Sequence, residues 1–147
     1  KNLAAKYDIP DDTVMIGYIG SFVQYEGLEN LVEACVLLKK KDLNFRLLLV
    51  GNENVSDPGS KGPITQEIER IAVENNLSNF IIMPGRIPHE EVPAHYSLID
   101  IAPFPRKPQP VTEMVSPMKP LESFAMKKAV VVSSVEALAE MVENRKI

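Results

Sequence analysis

Cysteine is almost missing from this sequence. Cys35 stands alone, so the chain can close no disulfide on itself and build no cysteine-based zinc site, which fits a reducing compartment. Histidine is nearly as scarce. His89 and His95 have no third ligand at useful spacing and read as helix-surface or capping residues rather than as a metal set. There is no Asp-x-Asp pair and no evident serine–histidine–acid set. No Walker motif occurs, and no Gly-x-Gly-x-x-Gly follows the first strand-like run, which weakens an ATPase or nicotinamide reading. A basic surplus is also lacking: the net charge of −4 argues against nucleic acid as a partner, because phosphate binding needs a positive surface. No apolar run approaches the ~20 residues of a membrane helix, and no signal peptide is visible.

What is present suits one domain with a proper core: 147 residues, 45% apolar and 24% charged. The chain opens on Lys1 rather than methionine and closes at Ile147 in a charged stretch, and we expect it to be a piece of a longer protein. Short apolar runs predict strands at Val14 to Gly20, Phe45 to Gly51, Phe80 to Met83, Asp100 to Phe104 and Ala129 to Ser133. Between them lie helical patterns. Leu28, Leu31, Val32, Cys35 and Leu38 form one stripe, which makes Cys35 core, and Lys39, Lys40 and Lys41 suit its C-terminus. Ile64, Ile68, Ile71 and Ala72 form the inward face of a second helix, a short helix starts at His89, and others are expected at Ser116 to Met126 and from Val135. Lys1 to Asp12 reads as the tail of a connection, and Asn52 to Pro63 as a mobile loop. Strand–helix alternation without hairpin signals predicts a doubly wound parallel α/β sheet with helices on both faces. Ligands of such sheets sit at the carboxyl ends of the strands, where Gly20, Gly51, Gly85, Phe104 and Ser133 fall.

The segment from Arg106 to Ser133 is the richest in chemistry. Ser116 suits an N-cap and Pro117 the first helical position, so the N–H groups of Met118 and Lys119 are free donors at a helix start, a ready anion site. Glu122 lies little more than a turn further on, and Glu113 in the loop before. One reading is a cradle, with amides for phosphate and two carboxylates for sugar hydroxyls. The other is a proline-rich loop and helix with two solvated glutamates.

The segment resembles the signature of the family 4 (group 1) glycosyltransferases, carried here by Glu113, Ser116-Pro117-Met118, Glu122, Ala125 and Val130-Val131-Val132. The likeness extends from Ile16 to Val142 in order of elements. Eight residues, Met114 to Leu121, separate the two glutamates, where the family usually has seven. The resemblance implies the C-terminal, donor-binding, Rossmann-like half of a two-domain GT-B-type retaining enzyme. The intact protein would transfer a hexosyl group from a nucleoside diphosphate sugar to an acceptor hydroxyl. It further implies an acceptor-binding N-terminal domain elsewhere in the chain, no cofactor, no metal, no nucleic acid and a cytoplasmic setting. Any contact with the inner membrane face would come through the missing part.

By the same resemblance, Glu122 accepts from the ribose hydroxyls, Glu113 touches the donor sugar, and backbone groups around Arg86 and Ile87 hold the base. Pro103 and Phe104 shape the pocket wall, and the loop from Gly20 approaches the phosphates. Where the family carries an arginine and a lysine in that loop, this chain has Ser21 and Glu26. A departing diphosphate still needs positive charge or aimed N–H groups. Arg106 and Lys119, flanking the Glu113–Pro117 loop, are the candidates, with Arg86 further off; the alternative is that both are surface charges. Two other readings stay open. One is an enzyme of the same architecture, such as a nucleotide-sugar epimerase or a glycogen-type synthase. The other is a non-catalytic Rossmann-like binding module of glycosyltransferase ancestry, which the missing basic pair favours.

Overall fold

The computed structural model describes residues 3–53, 61–105, 107 and 129–132. Within them lie α1 (Leu3–Lys6), β1 (Val14–Ile19), α2 (Leu28–Lys40), β2 (Phe45–Val50), α3 (Pro63–Glu74), β3 (Ile81–Gly85), α4 (Val92–Leu98), β4 (Ile101–Phe104) and β5 (Ala129–Val132). The helices expected at Ser116 to Met126 and from Val135 lie outside the described residues. All five strands pair in parallel, in the order β3-β2-β1-β4-β5. The order reverses between β1 and β4, so the ligand-binding crevice of a doubly wound sheet belongs above that junction.

The middle of the sheet is covered on both faces, and its sequence shows why. Leu47, Leu48 and Leu49 of β2 are each 0% exposed. Because strand side chains alternate, Leu47 and Leu49 join Ile16 and Tyr18 of β1 against Leu28, Val32 and Cys35 of α2 and Ile68 and Ile71 of α3. Leu48 and Val50 point the other way, into a cluster with Met15, Tyr96 of α4, Ile99, Ala102 and Phe104. Each fully buried leucine is worth about 2 kcal/mol of apolar transfer. On this second face the centre of β1 is a glycine. A Cβ on Gly17 would stand 2.4 Å from Cγ1 of Ile99, so the chain leaving α4 packs where a side chain would be.

Three of the four described α-helices, α1, α2 and α3, end in one pattern. Asp8, Asp42 and Asn76 adopt φ of 53°, 59° and 56°, in the left-handed region that Asp and Asn tolerate better than other non-glycine residues. Around each, two hydrogen bonds close a Schellman motif: Ile9 N–H to Ala4 and Asp8 N–H to Ala5, Leu43 to Leu38 and Asp42 to Lys39, Leu77 to Ala72 and Asn76 to Val73.

Two sequence expectations are corrected here. The start of the chain is not merely a connection: Leu3–Lys6 is helical. His95 is not a surface histidine but is 0% exposed. Its Nδ1 lies 2.9 Å from the carbonyl oxygen of Glu91, and its Nε2 lies 2.9 Å from the hydroxyl of Tyr7. A carbonyl can only accept, so Nδ1 carries a proton, while Nε2 meets the Tyr7 hydroxyl, tying the segment after α1 to α4. The signal was masked because a lone histidine near polar residues reads as exposed. His89 is exposed, in a 3-10 turn, His89–Glu91.

Gly17→Val should destabilise the fold by about 1–3 kcal/mol through overpacking against Ile99, and Gly17→Val/Ile99→Ala should recover part of the loss in denaturant melts. Burial pushes the Cys35 thiol up to about 12. Ionisation is thus easier in the unfolded chain, and stability should fall as pH rises from about 9 towards 12. Thiol labelling at neutral pH should track global unfolding; rapid labelling of the native protein would contradict this burial.

Candidate functional site

The loops that follow β1, β2 and β3 are laced together by their own main chains. Gly20 N–H donates to the Val50 carbonyl at 3.0 Å, Gly51 N–H to the Gly85 carbonyl at 2.9 Å, and Phe22 N–H to the Asn52 carbonyl at 3.1 Å. The approach is closest at Gly51, which has φ of 127° and where a Cβ would stand 1.9 Å from the Gly20 oxygen. No other residue type fits both the angle and the space. From beneath, the Tyr18 hydroxyl donates to the Ser21 carbonyl at 2.8 Å.

Above this lacing lies a cleft of about 200 Å³ lined by Ile19, Gly20, Ser21, Val50, Gly51, Arg86, Ile87 and Val92. Four residues singled out in the sequence, Gly20, Ser21, Arg86 and Ile87, thus converge on one space at the carboxyl edge. Among the described residues, neither Arg86 nor Ile87 makes a main-chain loop hydrogen bond. Phe104 is placed differently. It ends β4 but is 5% exposed and packs in the core cluster with Met15 and Val50 rather than lining this cleft. Arg106, Glu113, Ser116, Pro117, Met118, Lys119 and Glu122 lie outside the described residues.

Sequence reasoning missed three contributors. Asn52 is the first: its Oδ1 accepts from Nε of Arg86 at 2.8 Å. The second is Glu53. Its two carboxylate oxygens accept from the N–H groups of Ile64 and Thr65, at 3.1 and 2.8 Å, at the start of α3. Gly62 precedes that helix and has no side chain to cap it; a Cβ there would stand 2.3 Å from the Glu53 carboxylate. The positive end of α3 is therefore filled by a carboxylate of the same chain and is not open to a phosphate. The described ends of the loop read as mobile are pinned, at Asn52–Glu53 and at Lys61, whose Nζ pairs with Glu69 at 2.8 Å; residues 54–60 lie outside the description.

The third is Lys107. Its N–H donates to the Tyr25 carbonyl at 2.8 Å, and its Nζ pairs with Glu29 in the first turn of α2. This fastens the β4 extension to the loop after β1, across the junction where strand order reverses. Gly27 makes the crossing possible, since a Cβ there would stand 1.9 Å from the Pro105 oxygen. Glu26, at the position of the family's loop lysine, is 7% exposed beside this crossing and is not offered to the cleft. Among the described residues no group of three or more metal-ligating side chains occurs, and no helix is long and apolar enough to cross a membrane.

Comparison with known proteins gives a consistent picture. The chain matches the family described as "Glycosyl transferases group 1" over residues 1–147. It is 20% identical over 134 residues to an alpha-D-kanosaminyltransferase of Streptomyces kanamyceticus, covering 91% of this chain and 31% of that protein. It thus spans under a third of that relative. Among solved structures it is similar to a sucrose-phosphate synthase of Thermosynechococcus elongatus, with TM-score 0.73, 29% identity, and coverage of 95% of this chain and 32% of that one. It is also similar to the C-terminal domain of a group 1 glycosyl transferase of Francisella tularensis, with TM-score 0.74, 23% identity, and coverage of 95% and 67%.

Removing the Glu53 carboxylate would leave two helix-start donors without a partner. Glu53→Ala should cost about 1–2 kcal/mol in a chemical melt, and Glu53→Gln, which keeps one acceptor, should cost less. Equal stability of Glu53→Ala and the parent would show that water caps α3 as well.

Proposed function

The chain belongs to the group 1 glycosyl transferases and has the Rossmann-like fold of their GT-B C-terminal domains, and from that premise we propose that it holds the nucleoside diphosphate sugar. The intact protein would then move the sugar to an acceptor hydroxyl with retention of anomeric configuration, the acceptor being presented by an N-terminal domain. The observation that carries this reading is the cleft where Gly20, Ser21, Arg86 and Ile87 meet, at the carboxyl ends of β1, β2 and β3. Its walls are largely apolar, its main chain approaches without side chains at Gly20 and Gly51, and it has a cation at its lip. Those are the needs of a base and the adjoining phosphates.

The remaining roles fall to the segment after β4. In this proposal the Met118 and Lys119 amides face the diphosphate, with Arg106 and the Lys119 side chain supplying positive charge. Glu122 accepts from the ribose diol and Glu113 from the donor sugar. Catalysis would rest on stabilising the departing diphosphate and on holding donor against acceptor, without a protein nucleophile from this region and without a metal. The described geometry narrows the sources of charge for the leaving group: α3 is already capped by Glu53, and Glu26 is buried, so neither supplies it.

A second reading has specific support. Ser21 and the buried Glu26 stand where the family has basic residues, as a non-catalytic binding module would allow. Thermal melting of the full-length protein with UDP, GDP and ADP separates the two. A donor domain should be stabilised by one of them, and Glu122→Ala should remove the response. Silence with all three would favour the non-catalytic module. Residues 1–147 alone should bind nucleotide weakly and show little or no transfer; robust turnover by that piece would overturn the two-domain mechanism.

A further inference from the structure

We infer that Asn52 is a positioning residue for Arg86, and that the pair selects a donor whose base presents a carbonyl oxygen, uracil or guanine, over adenine. The inference rests on the nucleotide-binding reading above and adds the class of base. Asn52 is fixed along its backbone: its carbonyl accepts from Phe22 N–H at 3.1 Å, and the next residue, Glu53, is tied to the start of α3. Its side chain therefore projects from an anchored backbone, and its amide oxygen accepts from Nε of Arg86 at 2.8 Å.

The consequence lies in what is left of the guanidinium. Arg86 is exposed, and among the described residues it makes no ion pair and no second hydrogen bond. With Nε engaged, only the two terminal nitrogens remain for a ligand, and they can donate but never accept. They stand at the lip of a cleft whose walls include Ile19, Val50, Ile87 and Val92. A base seated among these side chains is held by apolar contact, which scarcely distinguishes one ring from another. Discrimination falls to the polar edge. Guanine sets two acceptors, O6 and N7, side by side and uracil presents carbonyl oxygens, whereas adenine sets its acceptor N7 beside an amino group that only donates. Against adenine one terminal nitrogen can reach N7 but the other faces the amino donor, so one of the two hydrogen bonds is lost. A free arginine would swing away into water and lose the selectivity, so Asn52 matters even though it need not touch the ligand.

Calorimetric titration of the full-length protein with UDP, GDP and ADP tests this in the parent and in Arg86→Ala, Asn52→Ala and Asn52→Asp. The parent should prefer UDP or GDP to ADP by about tenfold or more, and the stronger of the two identifies the base. Arg86→Ala and Asn52→Ala should each bring that ratio towards one, and the double variant should do no worse than either alone. Asn52→Asp, which keeps an oxygen facing Nε, should retain the preference. A purely structural role would weaken all three nucleotides in parallel; that result, an unchanged ratio in Asn52→Ala, or a parent that prefers ADP overturns the inference alone. A parent that binds none of the three overturns the nucleotide-binding reading, and the inference falls with it.

Discussion

The contact between Gly51 and the Gly20 carbonyl oxygen sets the geometry of the carboxyl edge. Two strands that pair along six residues must, on leaving the sheet, turn away from each other or press their main chains together. Here they press together. Gly51 N–H then reaches the Gly85 carbonyl, Gly20 N–H reaches Val50, and the loops after three neighbouring strands become one hydrogen-bonded layer. The cleft above is a product of that layer. Its floor is main chain, so a ligand can approach more closely than side chains would allow, and its shape is set by the sheet rather than by loop length.

Electrostatics at this edge follow from which groups are already matched. Glu53 occupies the helix start nearest the second strand, and Glu29 is paired with Lys107. The Lys107 pair is only about a quarter exposed, so it is screened less than a surface pair and can hold the β4 extension against α2. Among the described residues, these matches leave Arg86 as the cation of the cleft, held by a neutral amide rather than by a carboxylate. A neutral partner fixes direction without cancelling charge, which keeps the guanidinium available to an incoming anion or acceptor.

Much of this was legible in the residues. Runs such as Phe45 to Val50 and Val14 to Ile19 announce strands buried on both faces, and the stripe through Leu28, Leu31, Val32 and Cys35 faces the core as its spacing requires. Glycines at the strand ends pointed to the cleft, and Arg86 and Ile87 were placed there by resemblance. What escaped depends on partners distant in sequence. Asn52 and Arg86 are separated by 34 positions and Lys107 and Glu29 by 78, and no local periodicity encodes such pairs. Glu53 escaped because helix-start rules look at adjacent residues, whereas this cap arrives from eleven positions upstream. His95 escaped because burial of a polar ring depends on a tyrosine 88 residues away.

The helix ends and the strand ends respond differently to sequence drift. Asp8, Asp42 and Asn76 bend the chain to the left-handed side using residues for which glycine could stand in with no steric penalty. The exchange does not run in reverse at Gly51 or Gly27. Asparagine tolerates a positive φ, but its first side-chain carbon would collide with the Gly20 or Pro105 oxygen. The domain therefore has evolutionary latitude where its helices stop and almost none where its loops cross, and lineages that keep the cleft must inherit both crossings unaltered.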